Sequence, residues 1–205
     1  MRRKLRWLAG VALVVALAAV AWVAVTIFWQ EPYTAWVHHR EERKLEEQLR
    51  VDVIRNVQVT VHTTTHHIYK AAPVLPRIRA GNAVGRLSGP HVNAILTYGR
   101  NNINAGPGLW HARPGQNKTV VISGHRTTYG APFRHIDELH KGDQLTLKSP
   151  WGTWRYKVYR KAVVRPTELW VTRNLGYEQV VLTACHPPYS AAYRYVVFAR
   201  LTSSS

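Results

Sequence analysis

The chain has 205 residues, with 28 Lys and Arg against 11 Asp and Glu, a formal charge of +17, and 46% hydrophobic residues. That apolar content is enough for a packed core, and a single cysteine excludes an internal disulfide framework. The positive field attracts polyanions, whether nucleic acid or an anionic membrane or envelope, and location has to decide between them.

The chain opens on a basic hexapeptide, MRRKLR, over residues 1–6. From Trp7 to Gln30 there is then no charged residue. A helix over 7–30 would be about 36 Å long, against a hydrocarbon core of roughly 30 Å. Trp7 and Trp29 stand at its ends, where indoles favour the interface. The basic flank predicts a cytoplasmic N-terminus and everything after the span outside, so the chain is expected to be a single-pass protein of the cell membrane. A cleavable signal peptide with Ala19-Val20-Ala21 as its cleavage site competes, but the apolar run continues well past it.

Residues 31–72 are expected to be an extracellular stalk or linker. Pro32 suits a first helical turn, and the mixed charges of EERKLEEQ (41–48) predict a solvated helix. Residues 51–72 are rich in Val and Thr and read as a strand or an extended spacer. His38, His39, His62, His66 and His67 invite a metal site. No carboxylate or thiol pattern completes one, so neither metal nor other cofactor is expected.

From residue 73 short apolar runs alternate with Gly, Pro and Asn. TVVIS (119–123), QLTLKS (144–149), TWRYKVYRKAVV (153–164), QVVLTAC (179–185) and RYVVFARL (194–201) read as strands, the second and third joined through SPWG as a hairpin. Only APFRHIDEL (131–139) has helical spacing. An all-β fold with minor helix, closed as a barrel or sandwich over residues 73–205, follows. This part holds 18 basic and 5 acidic residues. Outside the membrane, wall polymers and lipid headgroups are its expected counterparts, and nucleic acid is not.

Cys185 sits in VVLTACHPPYS. A nucleophilic thiol needs a base or cation nearby and donors for an oxyanion. His125 follows one apolar strand, Cys185 ends another, and Arg194 starts the next. If the last two strands form a hairpin, Cys185 and Arg194 face each other across its neck.

The segment GPGLWHARPGQNKTVVISGHRTTYGAPFRHIDELHKGDQLTL, followed by the late Cys and Arg, resembles the sortases, membrane-anchored cysteine transpeptidases of Gram-positive surfaces. HRTTYG is most similar to class E and related actinobacterial housekeeping enzymes. The resemblance implies a closed eight-stranded β-barrel. It makes Cys185 the nucleophile on a C-terminal LPXTG- or LAXTG-like sorting signal, cut between Thr and Gly, with His125 as acid and base and Arg194 at the oxyanion. It implies sorting-signal-bearing secreted proteins as one substrate and a peptidoglycan-precursor amine as the other. Tyr129 and Thr128 in the loop after the histidine, and Thr183 and Ala184 before the cysteine, become expected substrate contacts. The family writes Thr-Leu-any-Thr-Cys, and here Val181 and Ala184 replace both threonines while Thr183 comes one place early. An L,D-transpeptidase would place His and Gly immediately before the Cys and Arg two places after it. An NlpC-type peptidase would place Cys before His. A non-catalytic wall-binding module and a pilin-polymerising enzyme remain as alternatives.

Overall fold

A computed structural model describes residues 2–28, 32–61 and 78–205. It contains two helices, α1 (Arg2–Phe28) and α2 (Pro32–Val61), and eight strands: β1 (Ala83–Gly89), β2 (Val92–Tyr98), β3 (Gly108–Trp110), β4 (Thr119–Ser123), β5 (Gln144–Ser149), β6 (Gly152–Val164), β7 (Gln179–His186) and β8 (Tyr193–Ser204). The strands close into a barrel in the order β1-β2-β3-β4-β7-β8-β6-β5, with β1 pairing back onto β5. Six of the pairings are antiparallel, while β2 with β3 and β4 with β7 run parallel.

Closure follows from side-chain alternation. On β6, Trp154, Tyr156 and Val158 point inward while Arg155 and Lys157 stay in solvent. β4 and β7 are buried on both faces over residues 120–122 and 180–182, and each accordingly reads there as a short apolar run. The interior is filled by Leu87, Leu96, Ile122, Leu147, Leu182 and Val197, among others. A smaller cluster of Val121, Val164, Val171, Val181, Val196 and Phe198 forms outside the wall, under the β6–β7 connection. At Gly106 any Cβ would collide with the Ile95 carbonyl, so only glycine lets these backbones approach.

Three expectations change. Residues 131–139 form one 3-10 turn, Ile136–Glu138, instead of a longer helix. Phe133, Ile136 and Leu139 still point into the core. Residues 51–61 continue α2 instead of forming a strand or spacer. α2 is not a solvated stalk: Leu45 is buried with Ala83, Ile95 and Ala105 of the barrel wall. Gln48 Oε1 accepts from the Ala83 N–H at 3.0 Å, and Arg86 donates to Glu46 at 2.8 Å. Burying one leucine contributes about 1.5–3 kcal/mol, more than an exposed ion pair. Residues 62–72 lie outside the described residues.

α1 exposes apolar side chains all round, including Leu13, Val20 and Trp22. Its stretch Arg6–Val25 has a mean hydropathy of 2.7 and is long enough to cross a membrane.

Candidate active site

The barrel's register assembles the site. In the parallel pair β4–β7, Ser123 lies beside Thr183. His125 and Cys185 each stand two residues beyond that pair on neighbouring segments, and the Gly124 N–H donating to the Thr183 carbonyl at 3.0 Å keeps them aligned. In the antiparallel pair β7–β8, Cys185 is directly opposite Arg194. Opposed residues share a face with Cβ atoms about 5 Å apart. The hairpin expected between the two strands is present, and it brings the three residues together from three strand ends.

His125 is held at both ring nitrogens. Nε2 pairs with Asn104 Oδ1 at 2.9 Å and Nδ1 with Thr128 Oγ1 at 3.3 Å. The Asn104 oxygen can only accept, so the neutral ring carries its proton on Nε2 and accepts from Thr128 at Nδ1. Tyr129 packs its ring 4.8 Å from the imidazole. Burial lowers the His125 pKa below its ordinary value, and charge on His38 lowers it further.

His38 comes from α2. It is 8% exposed, with Nδ1 3.4 Å from the Asn104 carbonyl and Nε2 3.6 Å from a Glu42 oxygen. Its ring rests on Gly130, where a Cβ would fall 2.7 Å from Nε2. Tyr129, Gly130 and Ala131 have φ of 51°, 71° and 46°. Three successive left-handed residues, two of them not glycine, are sparsely populated backbone, and such conformations concentrate at working sites. Asn104 thus touches the candidate base with its side chain and the α2 histidine with its backbone.

Arg126 ties the His125 and Cys185 segments together. It is buried, pairs with Asp137, donates to the Arg134 carbonyl, and donates to His186 Nδ1 at 2.8 Å. It follows His125 in sequence as His186 follows Cys185, and one guanidinium links both.

A groove of about 210 Å³ runs along the outer face of β4, β7 and β8. Its floor is valine, from Val121, Val181 and Val196, and the β6–β7 connection supplies Val171 and Leu169. Arg194 and Thr183 line it at the Cys185 end. Trp110 also lines it, with its indole N–H donating to Ser123 and the Arg100 guanidinium over its ring. The Arg194 guanidinium donates to the carbonyls of Ala191 and Tyr193, which fix one of its nitrogens.

Of the expected substrate contacts, Thr183 faces the groove, and Thr128 and Tyr129 surround His125. Ala184 does not face it. The alanine is 2% exposed and belongs to the barrel interior, because strand alternation sends it inward between outward Thr183 and Cys185. Its missing hydroxyl is therefore a matter of core packing. Asn104 carries no spacing signal in the sequence, and Arg126 stands in HRTTYG with no role attached to it there. The sequence groups His38 only with the metal-like histidines. Among the described residues no cluster of three or more His, Cys, Asp or Glu could hold a metal.

The sortase domain family model matches residues 76–202. Sortase D of Bacillus subtilis (strain 168) is 32% identical over 130 residues, 58% of this chain and 64% of that protein. The chain therefore spans less than two thirds of that curated relative. Sortase E from Streptomyces avermitilis superposes with a TM-score of 0.55 at 26% identity, over 62% of this chain and 92% of that one. The fold also matches Clostridium perfringens sortase C, solved with the C-terminal cell wall sorting motif. There the TM-score is 0.59 at 23% identity, over 77% of this chain and 89% of that one.

Proposed function

The chain belongs to the sortase family, and from that premise we propose that it is a membrane-anchored cysteine transpeptidase that cleaves an LPXTG- or LAXTG-like sorting signal between Thr and Gly. The observation that carries the proposal is the shared register. Cys185 lies opposite Arg194 and level with His125, at one end of a valine-floored groove.

An extended peptide lies in the groove with its apolar side chains on the valines and its Thr carbonyl at the Cys185 Sγ. The thiolate attacks that carbonyl, and Arg194 donates to the developing oxyanion. The C–N bond to Gly breaks as protonated His125 gives its proton to the departing amine. The product is a thioester between Cys185 and the Thr carbonyl. In the second half His125 takes a proton from an incoming amine of a peptidoglycan precursor, which attacks the thioester and restores the thiolate. Asn104 and Thr128 orient the imidazole, and one of these two ring contacts opens as the proton passes to or from the amine. Charge on His38 disfavours a second positive charge nearby and so eases proton release from His125.

α1 anchors the enzyme in the cell membrane, N-terminus inside and barrel outside. The basic hexapeptide before the span and the positive barrel beyond it support this reading.

The test is a library of five-residue signal peptides read by mass spectrometry with the parent and with Cys185→Ala. The parent is expected to release the peptide C-terminal to Thr and form a thioacyl adduct, and the variant to do neither. Equal cleavage by both would refute Cys185 as the nucleophile, and none by the parent would leave a non-catalytic wall-binding module as the better description.

A further inference from the structure

α2 has two unlike faces. Thr34, His38 and Leu45 are buried, and the latter two rest on the barrel and the loop after His125. On the far side Tyr33 is 74% exposed and Trp36 59% exposed, and the Arg40 guanidinium lies 5.8 Å from the Trp36 ring. At about 100° per residue, Tyr33, Trp36, Arg40 and Arg43 fall within one arc of roughly 80°. Lys44 flanks the arc but is taken by Glu41 at 2.7 Å. Glu47 is the first carboxylate on the arc itself, a turn beyond Arg43. The exposed stripe is thus aromatic over the first two turns and cationic over the next two.

Large exposed aromatics beside arginines are the composition of a membrane interface, where the ring sits at headgroup level and the guanidinium reaches phosphate. Chain length points to the same partner. Only residues 29–31 separate the end of α1 from the start of α2. The chain covers at most about 3.5 Å per residue, so Pro32 lies within about 14 Å of Phe28. The Tyr33 and Trp36 face cannot leave the neighbourhood of the bilayer that α1 crosses.

We propose that the Tyr33, Trp36 and Arg40 face of α2 beds in the interfacial layer of that bilayer, with the barrel on its opposite face. The inference rests on the reading of α1 as a membrane span. A helix with its side chains is about 10–12 Å across. His38 on the inner face carries Gly130, and Gly130 belongs to the loop that follows His125. The catalytic loop is therefore held about one helix diameter from the lipid. An amine carried on a membrane-borne headgroup reaches it without leaving the surface.

The test uses the full chain in nanodiscs of phosphatidylcholine and phosphatidylglycerol that contain a clickable phospholipid. A benzophenone amino acid replaces Trp36, Trp22 or Lys157 in turn. Trp22 reports the span, and Lys157 is an exposed barrel position. The expected result is a lipid adduct at 36 comparable with that at 22 and about tenfold above that at 157, as an interfacial aromatic position requires. An adduct at 22 with only the 157 background at 36 overturns the inference and leaves the anchor standing. Adducts from 36 to a second copy of the chain overturn it in favour of self-association. Absence of an adduct at 22, with release of the protein by alkaline carbonate, overturns the anchor reading and the inference together.

Discussion

Replacing Gly130 by alanine probes the contact between α2 and the loop after His125. Two costs arise at this position. An L-residue at φ of 71° costs about 1–2 kcal/mol relative to glycine. The new methyl also falls 2.7 Å from His38 Nε2 and 2.9 Å from its Cγ, inside van der Waals contact. The ring is placed between Asn104 and Glu42 and has little room to swing. Overpacking of this kind costs about 1–3 kcal/mol. The sum for Gly130→Ala is about 2–5 kcal/mol, a fall in Tm of roughly 4–20 °C for a domain of this size. With His38→Ala already present the methyl meets no ring, and only the backbone cost remains. The cycle of parent, two single variants and double variant should thus give a coupling of about 1–3 kcal/mol. It is read by urea unfolding of the detergent-solubilised chain followed by tryptophan fluorescence. Additive losses, with no coupling, would show that α2 is not seated on this loop.

Three further outcomes are expected. His38→Gln removes the second cause of the depressed His125 pKa, so that pKa rises, and the limb of kcat/KM that needs the imidazolium moves to higher pH; an unmoved limb refutes the coupling. The same depression means that folding stability carried by His125 is present above its unfolded pKa near 6.5 and is lost as pH falls below it, a slope that should flatten in the variant. Arg194→Lys should lower kcat about 10²- to 10³-fold, because a point charge cannot keep carbonyls and oxyanion together in one planar fork; near-parental turnover counts against the oxyanion role. Tyr156→Phe deletes a buried hydroxyl that donates to Glu178 at 2.8 Å, while the carboxylate keeps the N–H groups of Gly115 and Asn117. The loss should be about 1.5–3 kcal/mol by urea unfolding, and a neutral result would show that the buried carboxylate is not held through this hydroxyl.

The strands that carry the site were legible because their patterns were pure. β4 and β7 each centre on three consecutive apolar residues, and β5 with β6 alternates around a turn that SPWG marks. β1 to β3 were not read individually: β3 is three residues long, and Gly and Asn interrupt the stretch around it. Residues 51–61 misled because Val, Ile and Thr favour strands locally. Extending a helix already formed costs little beside nucleating one, and helix propagation prevailed over the local preference. In 131–139 the three-residue spacing of Phe133, Ile136 and Leu139 serves a single 3-10 turn, with the Phe133 N–H donating to the His125 carbonyl. Cys185, His125 and Arg194 could be singled out as candidates because each ends or begins a readable strand. Asn104 and His38 could not, since their role exists only once a loop and a distant helix meet. Ala184 shows the finer limit: its position beside the cysteine suggested the groove, and the pleat turned it to the core.

The parallel pairing of β4 with β7 has a kinetic side. β5 and β6 lie between these two strands in sequence, so the edge that aligns His125 with Cys185 closes a loop running from Ser123 to Gln179. Chain closure over such a length costs on the order of 3–4 kcal/mol in entropy before any contact repays it. The β5–β6 and β7–β8 hairpins, being local, are free to form first. A chain still folding would then hold its thiol apart from its imidazole until the barrel wall is nearly complete. A thioester-trapping peptide added during refolding should acquire label only in step with that last closure, and earlier labelling would show that the wall assembles in another order. Topology would in this way keep an unfinished enzyme chemically silent.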